Sequence, residues 1–423
     1  MRFALAVALA VTVGMAGAGA AHAEPADELT VSVLTFGPGS HPFFKFGHNA
    51  ILIERPDGDG LVFNFGTFQF DSPALIPKFL RGRFKYWLSV ASRDATIASY
   101  IEENRTIVAQ ELDLTPAQKW ELWGKLRVNA RPENREYLYD YFLDNCSTRV
   151  RDAIDQVTGG RVKQAGQAPA TMSFRANALR MTADFLPEYL GLHLGLGSPT
   201  DQAIRAWDEA FLPERLHDLL RKVTVPGSTG EHPLVKDERV LFAARRPLPP
   251  AQPPRWTAYF LAVGLGLGLF LAGLGHMAVR HRTARVLLGT LVSLLGLLAG
   301  LLGLILLGLW VFTNHLATHA NANISLLAPW TIVLVGWGIG LARGRLSSAR
   351  RALWAVSLAA GLAILGAMGK LLPGTAQDNA AWIVLWLPTW LGLAAGLHLW
   401  TRRAAADVAA NPRHRAQERV HSP

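Results

Sequence analysis

Five apolar stretches near the C-terminus, Trp256 to Val279, Val286 to Phe312, Ile324 to Ala342, Leu353 to Gly369 and Ala380 to Trp400, contain no Asp or Glu. Each is long enough to cross a hydrocarbon core of about 30 Å, where every backbone polar group must be bonded within the segment, so each predicts a membrane helix. The connections after the first and third stretches carry Arg280, Arg282 and Arg285, and Arg343, Arg345, Arg350 and Arg351, while the tail carries Arg402, Arg403, Arg413 and Arg415. The other two connections have almost no basic residues. The positive-inside rule therefore places the basic loops and the C-terminus in the cytoplasm and everything before the first stretch outside it.

The other end of the chain agrees. Arg2 precedes an apolar run and then small residues ending in Ala21, His22 and Ala23, the pattern of a secretory signal with an Ala-x-Ala cleavage site. The expected organisation is a signal peptide over 1–23, a periplasmic domain over 24–246, a Pro-rich linker over 247–255, five membrane helices over 256–400 and a basic cytoplasmic tail over 401–423. The net charge of +10 does not indicate nucleic acid, because the arginines cluster in short runs beside the apolar stretches. The expected location is the inner (cytoplasmic) membrane of a Gram-negative-type envelope.

Within 24–246 the composition reads as α+β. Leu29 to Thr35, Ala50 to Glu54 and Leu61 to Gly66 are rich in β-branched and aromatic residues between Gly, Pro and Asp turns, which predicts strands. Thr115 and Pro116 predict the start of a helix, a second helix is expected after Asn134, and 160–250 reads as weaker helical segments. Gly264, Gly266, Gly268, Gly273 and Gly275 suit close packing of helices in lipid.

Cys146 is the single cysteine, so no intramolecular disulfide is possible. It follows a polar cap, Asp144 or Asn145, and precedes a helical stripe of Val150 and Ile154, which puts it in the first turn of a helix. The helix dipole and free N–H groups there favour a thiolate, the nucleophilic form. A nucleophilic cysteine needs a base, and His48, between Gly47 and an apolar strand, is the best candidate; it competes with the plainer reading of a core or surface histidine. Asn64, a polar residue on the next expected strand, reaches the far nitrogen of His48 if the two strands form a hairpin; otherwise it is a strand-end amide bonded to backbone. No HExxH or CxxC and no Gly-rich phosphate motif is present, so neither metal nor cofactor is expected.

The segments FGPGSHPFFKFGHNAILI, VFNFGTFQFD, RTIVAQELDLTPAQ, ENREYLYDYFLDNCSTRVRD and DEAFLPERL together resemble the Lnb family. The resemblance extends to NHLATHANANISLLAPW, which is similar to a periplasmic loop of that family, with Ala328 standing where the family has Asn. It implies a circularly permuted papain-like (NlpC-like) domain, in which the histidine precedes the cysteine, followed by a bundle of five transmembrane helices. It also implies lipoprotein N-acylation, with a phospholipid as acyl donor and a diacylated lipoprotein as acceptor. Cys146, His48 and Asn64 become the expected catalytic set, and Asn145, His315, Asn321 and Asn323 the expected substrate-binding or accessory residues. A periplasmic thiol hydrolase (phospholipase, thioesterase or peptidase) and a non-enzymatic envelope scaffold are the competing readings.

Overall fold

The structure, a computed structural model, describes residues 29–68, 85–228, 230–372 and 377–410. The expected signal peptide and the last thirteen residues of the basic tail, 411–423, lie outside these residues.

Strands β1 (Thr30–Phe36), β2 (His48–Glu54) and β3 (Gly60–Thr67) form an antiparallel meander, with Leu34 opposite Ala50 and Ile51 opposite Phe63. β4 (Lys85–Ser92) continues it and runs into helix α1 (Arg93–Glu102), where the Ser92 hydroxyl caps the Ala95 N–H. β5 (Ile107–Leu112) returns beside β1. Helix α2 (Pro116–Asn129) starts at a reciprocal cap between Thr115 and Gln118, with Pro116 in the first turn where its missing N–H costs nothing. After β6 (Glu136–Leu138) comes α3 (Cys146–Val157). Short helices α4 (Arg161–Ala165), α5 (Phe174–Met181), α6 (Leu186–Gly195), α7 (Ala206–Glu209) and α8 (Pro213–Leu220) follow, then a β7 (Thr224–Gly227) and β8 (Gly230–Pro233) hairpin and β9 (Val235–Phe242).

Among the described residues the main sheet has seven strands in the order β6-β4-β3-β2-β1-β5-β9. Alternation along the strands divides its side chains between two cores. Val31, Val33, Ile51, Ile53 and Phe63 pack with Leu122 and Leu126 of α2 and Val150 and Ile154 of α3. Leu34, Phe36, Ala50, Leu52 and Val62 pack with Ile97 and Tyr100 of α1. Each fully buried side chain of this size contributes about 1.5–3 kcal/mol, so the sheet is fixed on both faces and its strand ends are held in place.

Two expectations are corrected. The helix after Asn134 is a turn followed by β6, because Asp140 accepts hydrogen bonds from the Phe142 and Leu143 N–H groups, which favours a turn over a helix, and Tyr137 pairs with Tyr86 of β4. The stretch 160–250 is helical only as far as Leu220, and its last strand, β9, becomes the sheet edge beside β5.

In the C-terminal part, α9 (Thr257–Ala278), α10 (Arg282–Phe312), α12 (Leu346–Gly369) and α13 (Ala380–Ala410) are long and apolar enough to span a membrane. The third expected helix is broken: Leu316–Ser325 and Pro329–Ala342, the latter ending in α11 (Leu334–Ala342), meet at 53° and can count as one bent span. Pro329 has no N–H to continue a helix, and the Trp390 indole instead donates to the Leu326 carbonyl at 3.0 Å. Of the glycines expected to pack, a side chain at Gly264, Gly268 or Gly275 would run into the α13 backbone, at Val384, Pro388 and Gly396, so these three let α9 and α13 touch. Gly266 and Gly273 face open space.

Candidate functional site

Asn145 starts α3 by accepting hydrogen bonds from the Ser147 and Thr148 N–H groups at 2.8 and 2.9 Å, while its own amide donates to the carbonyls of Tyr141 and Phe211. Its capacity is used in aiming the helix, and it does not line the cavity described below. Cys146, the first helical residue, is 8% exposed. The N–H groups of Asn49, Ser147 and Cys146 itself approach its sulfur and favour the thiolate, but burial outweighs them and pushes the thiol up. The expected support for a thiolate at the helix N-terminus is thus present but outweighed: the resting group is a thiol, because desolvation is the larger effect.

His48 opens β2. Its ring is pushed down to about 3, first by burial and then by the Arg105 guanidinium, against a hydrogen bond to the Asn64 side chain that favours its charged form. His48 keeps some exposed surface, but it faces a cavity rather than open solvent, so desolvation still dominates. Asn64 sits on β3 next to the register shift between Asn64 and Thr67; its side chain interacts with His48, while its Nδ2 donates to the Val62 carbonyl at 3.4 Å, so features of both expected readings are present. No direct hydrogen bond joins Cys146 to His48.

All three residues line one cavity of about 790 Å³. Gly66, at φ +88, brings β3 close to Cys146: a Cβ there would lie 3.4 Å from the Cys146 Cβ. Tyr86 and Tyr139 stack in the wall with centroids 4.0 Å apart, and burial raises both hydroxyls so that they stay neutral. The cavity continues to Leu309 at the end of α10 and to His315, Ala317 and Thr318 in the loop beyond it, so both parts of the chain build it. His315 thus lies at the site; Asn321 and Asn323 do not line it and are buried against the end of α6.

Several residues at or behind the cavity wall carried no sequence signal. Arg105, in the turn between α1 and β5, is 3% exposed and lines the cavity. Asn49 and Ser147 brace β2 against α3, with Ser147 Oγ 2.8 Å from Asn49 Oδ1 and 2.7 Å from the Ala210 carbonyl. Their spacing in sequence, nearly a hundred residues, leaves nothing local to read.

A family model described as the Lnb N-terminal periplasmic domain matches residues 21–178, and one described as the Lnb transmembrane domain matches 260–399. The chain belongs to the Lnb family. It is accordingly an inner-membrane protein with a periplasmic N-terminal domain and a transmembrane C-terminal domain. No curated protein and no solved structure matches it. The first Lnb match ends inside α5, yet the elements after it reach back: Phe211 and Ala210 carbonyls hold Asn145 and Ser147, and Gly191 and Leu192 of α6 line the cavity.

Proposed function

We propose that this Lnb-family protein is a lipoprotein N-acyltransferase working through a Cys146 thioester. The observation that carries the reading is the position of Cys146, His48 and Asn64 around a large aromatic-lined cavity that runs on to residues of the membrane domain. A thiol nucleophile with its base suits acyl transfer, and a wall shared with the membrane helices suits a donor and an acceptor whose chains stay in the bilayer. The periplasmic domain is then a circularly permuted papain-like unit, with the His48 strand ahead of the Cys146 helix. The domains divide at the Pro-rich segment, and the basic loops and C-terminus face the cytoplasm.

Attack begins as the Cys146 thiol gives its proton to His48 and the sulfur bonds to the ester carbonyl carbon of a phospholipid. The C–O bond to glycerol breaks, His48 returns the proton to the glycerol oxygen, and lysophospholipid leaves. The deprotonated α-amino group of a diacylglyceryl-cysteine lipoprotein then attacks the thioester. The C–S bond breaks, an amide forms, and the amine proton passes through His48 back to the sulfur. Asn64 holds the imidazole in one tautomer throughout, and the Cys146 N–H at the start of α3 is a backbone donor for the oxyanion. Among the accessory residues, His315 contributes to the cavity wall, while Asn145, Asn321 and Asn323 act by positioning.

The test is mass spectrometry of lipoprotein N-termini from cells lacking their usual N-acyltransferase and expressing this protein or its Cys146→Ala variant. A third acyl chain with wild type and none with the variant is expected. Lipoproteins that stay diacylated under well-expressed wild type would overturn the reading, and free fatty acid released in their place would make the enzyme a hydrolase.

A further inference from the structure

Arg105 is a buried cation with one hand empty. Its Nε donates to the Gly37 carbonyl at 2.9 Å and its Nη1 to Glu103 at 3.1 Å, but Nη2 has no partner among the described residues. The guanidinium lies over the Tyr100 ring at 4.5 Å from its centroid and over Phe44 at 5.4 Å, so its plane is set before anything binds. The turn that carries it is held as well. Asn104 adopts φ 52, its Oδ1 accepts from the Arg245 N–H at 3.0 Å, and the Thr106 Oγ1 accepts from the Ala244 N–H at 3.1 Å.

An unsatisfied charged donor buried in a protein is costly, and one held this rigidly at a cavity wall is built for a ligand. The ligand must be an anion that arrives with apolar bulk, because most of the remaining wall is aromatic or aliphatic. The carboxylates at the wall are Glu103, already engaged on Nη1, and Glu188 on α6, so Nη2 is left to the ligand.

We propose that Arg105 binds the phosphodiester of the glycerophospholipid donor through Nη2. This rests on the lipid-acyl reading of the same cavity and names what it recognises. The Arg105 charge is felt at both His48 and Cys146, so an anion held there is close to the reacting pair. In a glycerophospholipid the phosphate and the central ester occupy adjacent glycerol carbons, so fixing one presents the other to the sulfur. Diacylglycerol, with the same chains and no phosphate, lacks that anchor. A charge-assisted bond to a preset guanidinium supplies the discrimination, and lysine, a point charge without the fork, supplies less of it.

The experiment is lipid binding to the full chain in detergent, in a Cys146→Ala background so that no turnover occurs. Phosphatidylethanolamine, diacylglycerol with the same chains and inorganic phosphate are titrated separately. Preference for the phospholipid over diacylglycerol by tenfold or more is expected, with loss of that preference in Arg105→Gln. Arg105→Lys is expected to lose at least half of it on a logarithmic scale, and it serves if the Gln variant does not fold. Equal binding of the two lipids, or an undiminished preference in either variant that folds, overturns the proposal. Inorganic phosphate binding as tightly as the phospholipid would make this a free-anion site and overturn the lipid assignment. Binding is read without acyl transfer, so lipoproteins that remain diacylated would sink the acyltransferase reading while leaving the Arg105 result to stand on its own.

Discussion

The side-chain amide of Asn321 donates to the Leu194 carbonyl at 2.8 Å, fastening the membrane domain to the last turn of α6. Asn323 reaches the same oxygen at 3.0 Å, and Gln377 reaches the Leu196 carbonyl at 3.3 Å. The final carbonyls of a helix have no partner within it, and here the other domain supplies them. Asn321→Leu strands buried acceptors and should cost about 1–3 kcal/mol. Thermal unfolding of the full chain in detergent is expected to show a lower midpoint for Asn321→Leu and Asn323→Leu. A midpoint equal to wild type in both would mean that the amides do not join the domains.

The proposed reacting pair, Cys146 and His48, rests uncharged. His48, at about 3, is neutral throughout the periplasmic pH range, and Cys146 is held above the ordinary thiol value by burial. The rate of Cys146 alkylation by iodoacetamide should therefore still be climbing at about pH 9, where a thiolate–imidazolium pair would have levelled off far lower. A plateau reached below neutrality would show that a resting ion pair exists after all.

In the proposed mechanism Asn64 acts on His48 and not on the substrate. Asn64→Leu should slow acyl-enzyme formation by about ten- to a hundredfold, less than the roughly 10²–10⁴ lost with His48→Gln, because general-base catalysis survives with a poorly oriented ring. Phospholipid binding in the Cys146→Ala background should be unchanged by Asn64→Leu. If binding falls in step with the rate, Asn64 belongs to the lipid site instead.

Glu188, on α6 at the cavity wall, is raised to about 7, mainly by burial and in spite of Lys45. A carboxyl raised above its ordinary value of 4.5 gives stability that is fully present below that value and is lost as pH rises through about 7. The melting midpoint of wild type should therefore drop across this window, and Glu188→Gln should flatten that part of the profile. Identical profiles for the two proteins would remove Glu188 as the cause.

The membrane helices and the helix start at Cys146 were legible because their signals are local: long runs without acids, and a polar cap directly ahead of an apolar stripe. The broken third helix was half visible, in Pro329. β6 and β9 were not. β9, the sequence VKDERVLF, lies at the sheet edge with much of its surface exposed, so it has no alternation to betray it. Arg105 was unreadable for another reason. Its meaning depends on Gly37, Tyr100 and an empty hydrogen-bond position, all set by tertiary packing, and a single arginine after an asparagine says nothing of them. Asn321 and Asn323 are expected at the site only through the family resemblance, and what they bind is the far end of a helix more than a hundred residues earlier.

β9 and the residues after it give the molecule an order of assembly. The strand pairs with β5, and Ala244 and Arg245 then pin the turn that carries Arg105, only a short step before α9 begins at Thr257. A nascent chain emerging into the periplasm N-terminus first can assemble the central meander early, but the sheet edge and the arginine turn wait for almost the last exported residues. The pocket is finished later still, because Leu309, His315, Ala317 and Thr318 complete its wall only after α9 and α10 have been made, which keeps the proposed lipid-binding surface from being completed on a domain still far from its membrane.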